Sequence, residues 1–136
     1  MSDAEVERNR RVVLDQLAAM DRGDVDAQLA LMTEDVRWWI PASASAHAAL
    51  PRPLVGRAAV GGLLGSAPER FTQVSVIVDR VIAEGDHVAV MLRVHAGTVS
   101  GNDYEGEYLW AYRLADGLIA EMWEYLDTAY AFEKLS

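Results

Sequence analysis

The sequence predicts an α+β domain, with helices gathered in the first half and an antiparallel strand meander in the second. Three observations carry that prediction. Apolar residues recur at helical spacing between Val6 and Met32, period-two alternation dominates from Phe71 onward, and the turn signals "EGD", "SGND" and "DG" separate the alternating runs. Helices followed by hairpin-joined strands fit one curved sheet with its helices on one face. A chain of 136 residues has the size of a single domain, and no repeat, low-complexity run or linker divides residues 1–136.

Each element has its own signal. From Glu5 to Arg22, Val6, Val13, Leu14 and Leu17 fall at helical spacing, and Gly23 supplies the stop. Asp24 is a natural cap for a second, shorter helix whose Val25, Leu29 and Met32 share a face. "EDVRWWIP" is rich in β-branched and aromatic residues and ends at Pro41, as a strand leaving its sheet would. The stretch from Ala42 to Gly56 is small, polar and broken by prolines, which predicts a loop over the surface or a pocket mouth. A short helix from Arg57 to about Ser66 is weakened by Gly61 and Gly62. Strands follow at Phe71–Ala83, His87–Thr98, Asn102–Ala115 and Leu118–Leu126, and "TAYAFEKL" closes the chain as a short helix with Asp127 as its N-cap.

Composition excludes several classes of function. Twelve Lys and Arg against twenty-one Asp and Glu leave a net charge of -9, a field that repels phosphate backbones and anionic lipid surfaces. Nucleic acid and membranes are therefore not expected partners. The apolar runs are short and interrupted by charge, so neither a membrane span nor a secretory h-region is expected, and the cytoplasm is the default compartment. The absence of cysteine removes disulfides, thiol nucleophiles and thiolate metal ligands. There is no Gly-rich phosphate loop, nucleophile elbow, H-E-x-x-H or spaced His cluster. The chemistry expected is acid/base or electrostatic, with no cofactor and no metal.

Alternation sorts the acids of "EMWEYLDT" by face. In the last strand the even row is Leu118, Ala120, Met122, Glu124 and Leu126, so Glu124 is the single charge in an apolar row. A carboxylate so placed loses hydration, and its proton affinity rises toward the range useful for acid/base work unless a cation such as Arg93 pairs with it. Glu121 falls on the other row and reads as a solvated charge. In the strand from His87, one row is wholly aliphatic and the other carries His87, Arg93 and His95. His95 is the imidazole best suited to a proton relay, or else a sheet-surface side chain paired with an acid. His47 lies in the Ala/Ser segment, and there an exposed imidazole is the simpler expectation. Trp38, Tyr108, Trp110 and Tyr112 fit either a core or the wall of an aromatic pocket.

The order of elements, with "GDVDAQLALMTEDV" leading into the first strand and "DGLIAEMWEYLDT" ending the sheet, resembles the nuclear transport factor 2-like superfamily. Within it the chain is similar to SnoaL-like proteins related to polyketide cyclases and ketosteroid isomerases, over nearly its whole length. The resemblance implies a cone-shaped α+β barrel, in which N-terminal helices on a curved, mostly antiparallel sheet enclose a hydrophobic pocket, and a homodimer formed through the sheet. It implies that Trp38, Ile40, Tyr108, Trp110, Met122 and Gln16 bind a small hydrophobic ligand or substrate. The isomerases' catalytic groups are absent at the matching positions: Ile40 replaces the base, Gln16 the oxyanion tyrosine, and Trp110 approximately the second acid. Limonene-epoxide hydrolases are more similar, since Arg93-Val94-His95 and Glu124-Tyr125 stand where those enzymes carry Arg-x-Asp and Asp-Tyr. That comparison implies that Arg93 and His95 face the pocket within reach of Glu124. SnoaL-like cyclases use a strand-end Asp, a role that falls to Asp127 or Glu124, and alternation favours Glu124. The expectation is an acid/base catalyst, cyclase, isomerase, lyase or hydrolase, with Glu124, His95, Arg93 and Asp127 as catalytic candidates. A non-catalytic ligand-binding or dimerisation module is the alternative.

Overall fold

The computed structural model describes residues 1–136 as five helices and six strands. Helix α1 (Asp3–Asp21) opens with a capping box: Ser2 Oγ accepts from the Glu5 backbone N–H at 3.1 Å, and the Glu5 carboxylate accepts from the Ser2 N–H. Helix α2 (Val25–Ala30) is capped by Asp24, whose carboxylate accepts from the Ala27 N–H at 3.0 Å. Strand β1 (Met32–Trp39) follows.

The segment expected to be a loop is partly ordered. Ala42–Ala48 forms α3, and Leu54–Val55 forms β2, which pairs antiparallel with Arg37 and Trp38 of β1. Four alanines in seven residues explain the helix, because their propensity outweighs that of the interleaved serines. Helix α4 (Arg57–Gly65) leads through a 3-10 turn at Ala67–Glu69 into the long strands β3 (Phe71–Glu84), β4 (His87–Thr98), β5 (Asp103–Ala115) and β6 (Leu118–Leu126). Helix α5 (Thr128–Leu135) ends the chain.

The sheet order is β2-β1-β6-β5-β4-β3, antiparallel throughout except for the parallel pair β1 and β6. It curls without closing, and β2 and β3 are its edges. Bulges between Thr72 and Ser75, between Val78 and Arg80, and at Arg113/Leu114 bend the ladder and increase its twist. Asp116 and Gly117, both at positive φ, make the two-residue hairpin between β5 and β6.

The concave face receives α1, and here the two ends of the strands differ. Toward one end Val13 and Leu17 of α1 pack on Val88, Val90, Tyr112, Leu114, Ile119 and Met122, all within one buried cluster. Each such side chain contributes roughly 1.5–3 kcal/mol by leaving water. Toward the other end the same rows continue as Val94, Tyr108, Tyr104, Glu124 and Leu126, and there the space between sheet and helices is hollow. Trp38 and Trp110, with ring centroids 5.5 Å apart, stand at the boundary between filled and hollow halves. No helix is long and apolar enough to cross a membrane.

Candidate functional site

The hollow end is a cavity of about 920 Å³ lined mainly by apolar side chains from β1, β4, β5, β6, α3, α4 and α5. Glu124 enters it from β6, directly across the ladder from Trp110. Its side chain keeps an intermediate exposure only because it borders the cavity; protein surrounds it on every other side. Burial pushes its carboxyl up to about 7. Two groups oppose that rise. The Trp110 indole N–H faces the carboxylate, though it falls short of hydrogen-bond geometry, and Arg70 acts across the cavity without closing to an ion pair.

Two tyrosines complete the polar side of the wall. The hydroxyls of Tyr104 and Tyr108 are 2.6 Å apart. Both are held above the usual phenol range, chiefly by burial, so both remain neutral near pH 7. Their meeting depends on Gly106, two residues along the same face: a Cβ there would lie 2.5 Å from the Tyr104 hydroxyl. Beneath the cavity, Tyr112 donates to Gln16 Oε1 at 2.7 Å, and Gln16 Nε2 donates to Gln28 Oε1 at 3.0 Å. At the mouth, His47 of α3 stacks on Phe132 of α5 with centroids 4.5 Å apart.

Among the residues that the sequence singled out, Trp38, Ile40, Tyr108, Trp110 and Glu124 line the cavity. Gln16 and Met122 do not: both are fully buried, one in the amide chain under the floor and the other in the packed core. The larger correction concerns Arg93 and His95. Leu92 and Val94 line the cavity, so strand alternation sends Arg93 and His95 to the outer face. There Arg93 holds Asp79 through two bonds of 3.0 Å and approaches Glu105 at 3.6 Å, while His95 is exposed. A sheet lies between these two side chains and Glu124, so the three form no relay. Asp127 is exposed and caps α5, accepting from the Tyr130 N–H at 3.0 Å.

Glu121 also departs from expectation. It lies on the outer row but is only 7% exposed, accepting from Trp39 Nε1 at 2.7 Å and Arg113 Nε at 3.2 Å, with Arg37 3.6 Å away. Burial alone would raise its pKa; the bonds from Trp39 and Arg113 outweigh that and hold it below the usual value. Most of the lining was not singled out from the sequence, and among it Tyr104 and Arg70 bear on the chemistry. Tyr104 shares the even row of Tyr108 and Trp110, and the same alternation reaches it. Arg70, at the end of a 3-10 turn, carries no periodic signal. No three His, Asp or Glu side chains converge as a metal site.

Residues 13–122 match the sequence pattern of the SnoaL-like domain. The chain belongs to that family. Solved structures agree on the fold of this SnoaL-like domain. An NTF2-like protein of unknown function from Burkholderia pseudomallei superposes with a TM-score of 0.87 at 21% identity, covering 100% of this chain and 99% of that one. TerC, co-crystallized with polyporic acid, superposes with a TM-score of 0.84 at 22% identity, covering 94% and 98% of the two chains. A protein described as a SnoaL-like polyketide cyclase from Jannaschia gives 0.81 at 22% identity, over 96% and 92%. Other structural neighbours carry the names isomerase and hydroxylase. Comparison with curated proteins finds no match.

Proposed function

We propose that this SnoaL-like domain is an acid/base enzyme that moves a proton on a small apolar or aromatic molecule held in the cavity, with Glu124 as the proton-transferring group. The observation that carries the reading is a buried carboxyl on a mainly apolar cavity wall, with its proton affinity lifted to about 7; the other acidic side chain of the lining, Asp21, is exposed and accepts from the Val76 N–H. Such a group is populated both as acid and as base near neutrality, where general acid/base catalysis is most effective. Trp38, Ile40, Tyr108 and Trp110 would shape the ligand's surroundings, and the neutral tyrosine hydroxyls would donate to an oxygen that gains charge. Cyclisation, isomerisation, elimination and epoxide opening all contain such a proton transfer. Neighbours named cyclase and isomerase support that range.

The step read most directly is removal of a proton from carbon next to a carbonyl. 2-Tetralone in deuterium oxide, followed by NMR, reports that step without knowledge of the natural substrate. The protein should accelerate exchange over buffer, with a rate that rises as pH passes through about 7, and Glu124→Gln should slow it by roughly a hundredfold or more. His95→Ala should leave it unchanged. Exchange no faster than buffer, or full rate in Glu124→Gln, would return the domain to a ligand-binding module.

Association of two copies belongs to the same proposal. Met91, Leu109 and Tyr125 sit side by side on the outer face of β4, β5 and β6, and all three are exposed. Sedimentation equilibrium reads the stoichiometry, and a monomer at micromolar concentration would remove this part.

A further inference from the structure

We propose that Arg70, together with the hydroxyl pair of Tyr104 and Tyr108, anchors an anionic oxygen of the ligand, so that the cavity selects a small aromatic organic acid over its neutral counterpart. The inference names the substrate class for the site just described and rests on that site being a ligand cavity.

Both groups retain unused donors. Arg70 lines the cavity half-buried, and its guanidinium makes one side-chain hydrogen bond, from Nη1 to Ser66 Oγ at 3.0 Å. No carboxylate comes within ion-pair distance of it, whereas Arg22, Arg37, Arg93 and Arg113 each hold one. Nε and Nη2 therefore keep donors for a planar acceptor, the geometry at which a guanidinium binds a carboxylate. The tyrosine pair contains two O–H donors and one shared bond. One hydroxyl hydrogen is thus left without a protein acceptor, on a group that already takes part in another hydrogen bond.

Position supports the count. Arg70 influences both Glu124 and Tyr108, yet stays beyond ion-pair distance of Glu124, so space for ligand atoms lies among the three. A neutral Glu124 leaves the guanidinium free instead of quenching it. The overall charge of -9 gives an approaching anion no long-range attraction. Selection for an acid must then come from a local cation; Arg22 also borders the cavity but is paired with Asp24, which leaves Arg70 to supply it. The apolar remainder of the wall takes the ring system.

Isothermal titration of the full chain near pH 6, with 2-naphthoate and the neutral 2-naphthylmethanol as probes, tests the inference. Naphthoate should bind at least tenfold tighter than the alcohol. Arg70→Gln should abolish that preference while leaving affinity for the alcohol within about threefold, and Arg70→Lys should restore part of it. Glu124→Gln should keep the preference, even though it loses tetralone exchange. Equal binding of the two probes, or a preference that survives in Arg70→Gln, overturns the anchor alone. If neither probe binds, the cavity reading falls and the anchor with it. Should Arg70→Gln fail to fold, the affinity ratio of the two probes in wild type and in Arg70→Lys still decides the matter.

Discussion

Glu124→Gln should make this domain more stable at neutral and alkaline pH, a result opposite to that of breaking an ion pair. The carboxyl moves from an ordinary 4.5 to about 7 in the folded chain. At about 1.4 kcal/mol per tenfold change in proton affinity, that lift costs the ionised folded state on the order of 3 kcal/mol, less whatever hydration the open cavity returns. The sign follows from linkage. Below 4.5 the group is protonated in both folded and unfolded chains and costs nothing. Between there and about 7 only the unfolded chain ionises, so stability falls as pH rises; above about 7 the loss is complete. Trp110, Tyr104, Tyr108 and Tyr112 of β5 and Arg70 beside β3 surround the carboxyl, and Arg70 is the one cation that acts on it. The neutral amide of the variant would carry no such penalty. Urea unfolding followed by tryptophan fluorescence, between about pH 4 and about pH 8, should give two curves that meet within about 1 kcal/mol at the acid end. They should separate by about 3 kcal/mol in favour of the variant at the alkaline end. A variant less stable than wild type above pH 7 would refute the reasoning, since it would mean that Glu124 is an ionised partner in a buried pair. A gap that does not change with pH would refute it equally.

Two further outcomes follow from local geometry. Gly106→Ala places a methyl where the Tyr104 ring lies, so the hydroxyl pair should part at a cost of roughly 1–3 kcal/mol, read as a lower urea midpoint, while Glu124 keeps its titration. Glu121→Gln removes the charge that holds Arg37 and Arg113 over the sheet; it should destabilise the fold above pH 5 by roughly 1–3 kcal/mol. Because that carboxyl is held below its usual value, the difference should shrink as pH falls through its folded titration.

The strands were legible because alternation is local: a β-strand alternates its side chains whatever it packs against. His87–Thr98 and Leu118–Leu126 fall where the pattern put them, and the single charge in the even row of β6 stood out as Glu124. The caps at Asp24 and Asp127 were equally local, since each needs only its own carboxylate and an N–H three residues on. Which row of β4 faces inward was not settled by alternation, which only groups residues by face. Likeness to epoxide hydrolases turned Arg93 and His95 toward the pocket, and the structure places Leu92 and Val94 there instead.

The sequence by itself determined the order of the longer helices and strands outside residues 42–56, the grouping of residues by face, and the one acid stranded among apolar neighbours. Tertiary structure decided which end of each row is core and which is cavity, because that depends on how far α1 reaches across the sheet. It separated Met122 from Glu124 on the same row of the same strand. It turned Glu121 from an apparent surface charge into a buried acceptor, because Trp39, Arg37 and Arg113 converge on it from two other strands. It also brought Arg70 to the cavity. Burial, and with it proton affinity, is a property of what surrounds a side chain in space, and neighbours in the chain do not specify it.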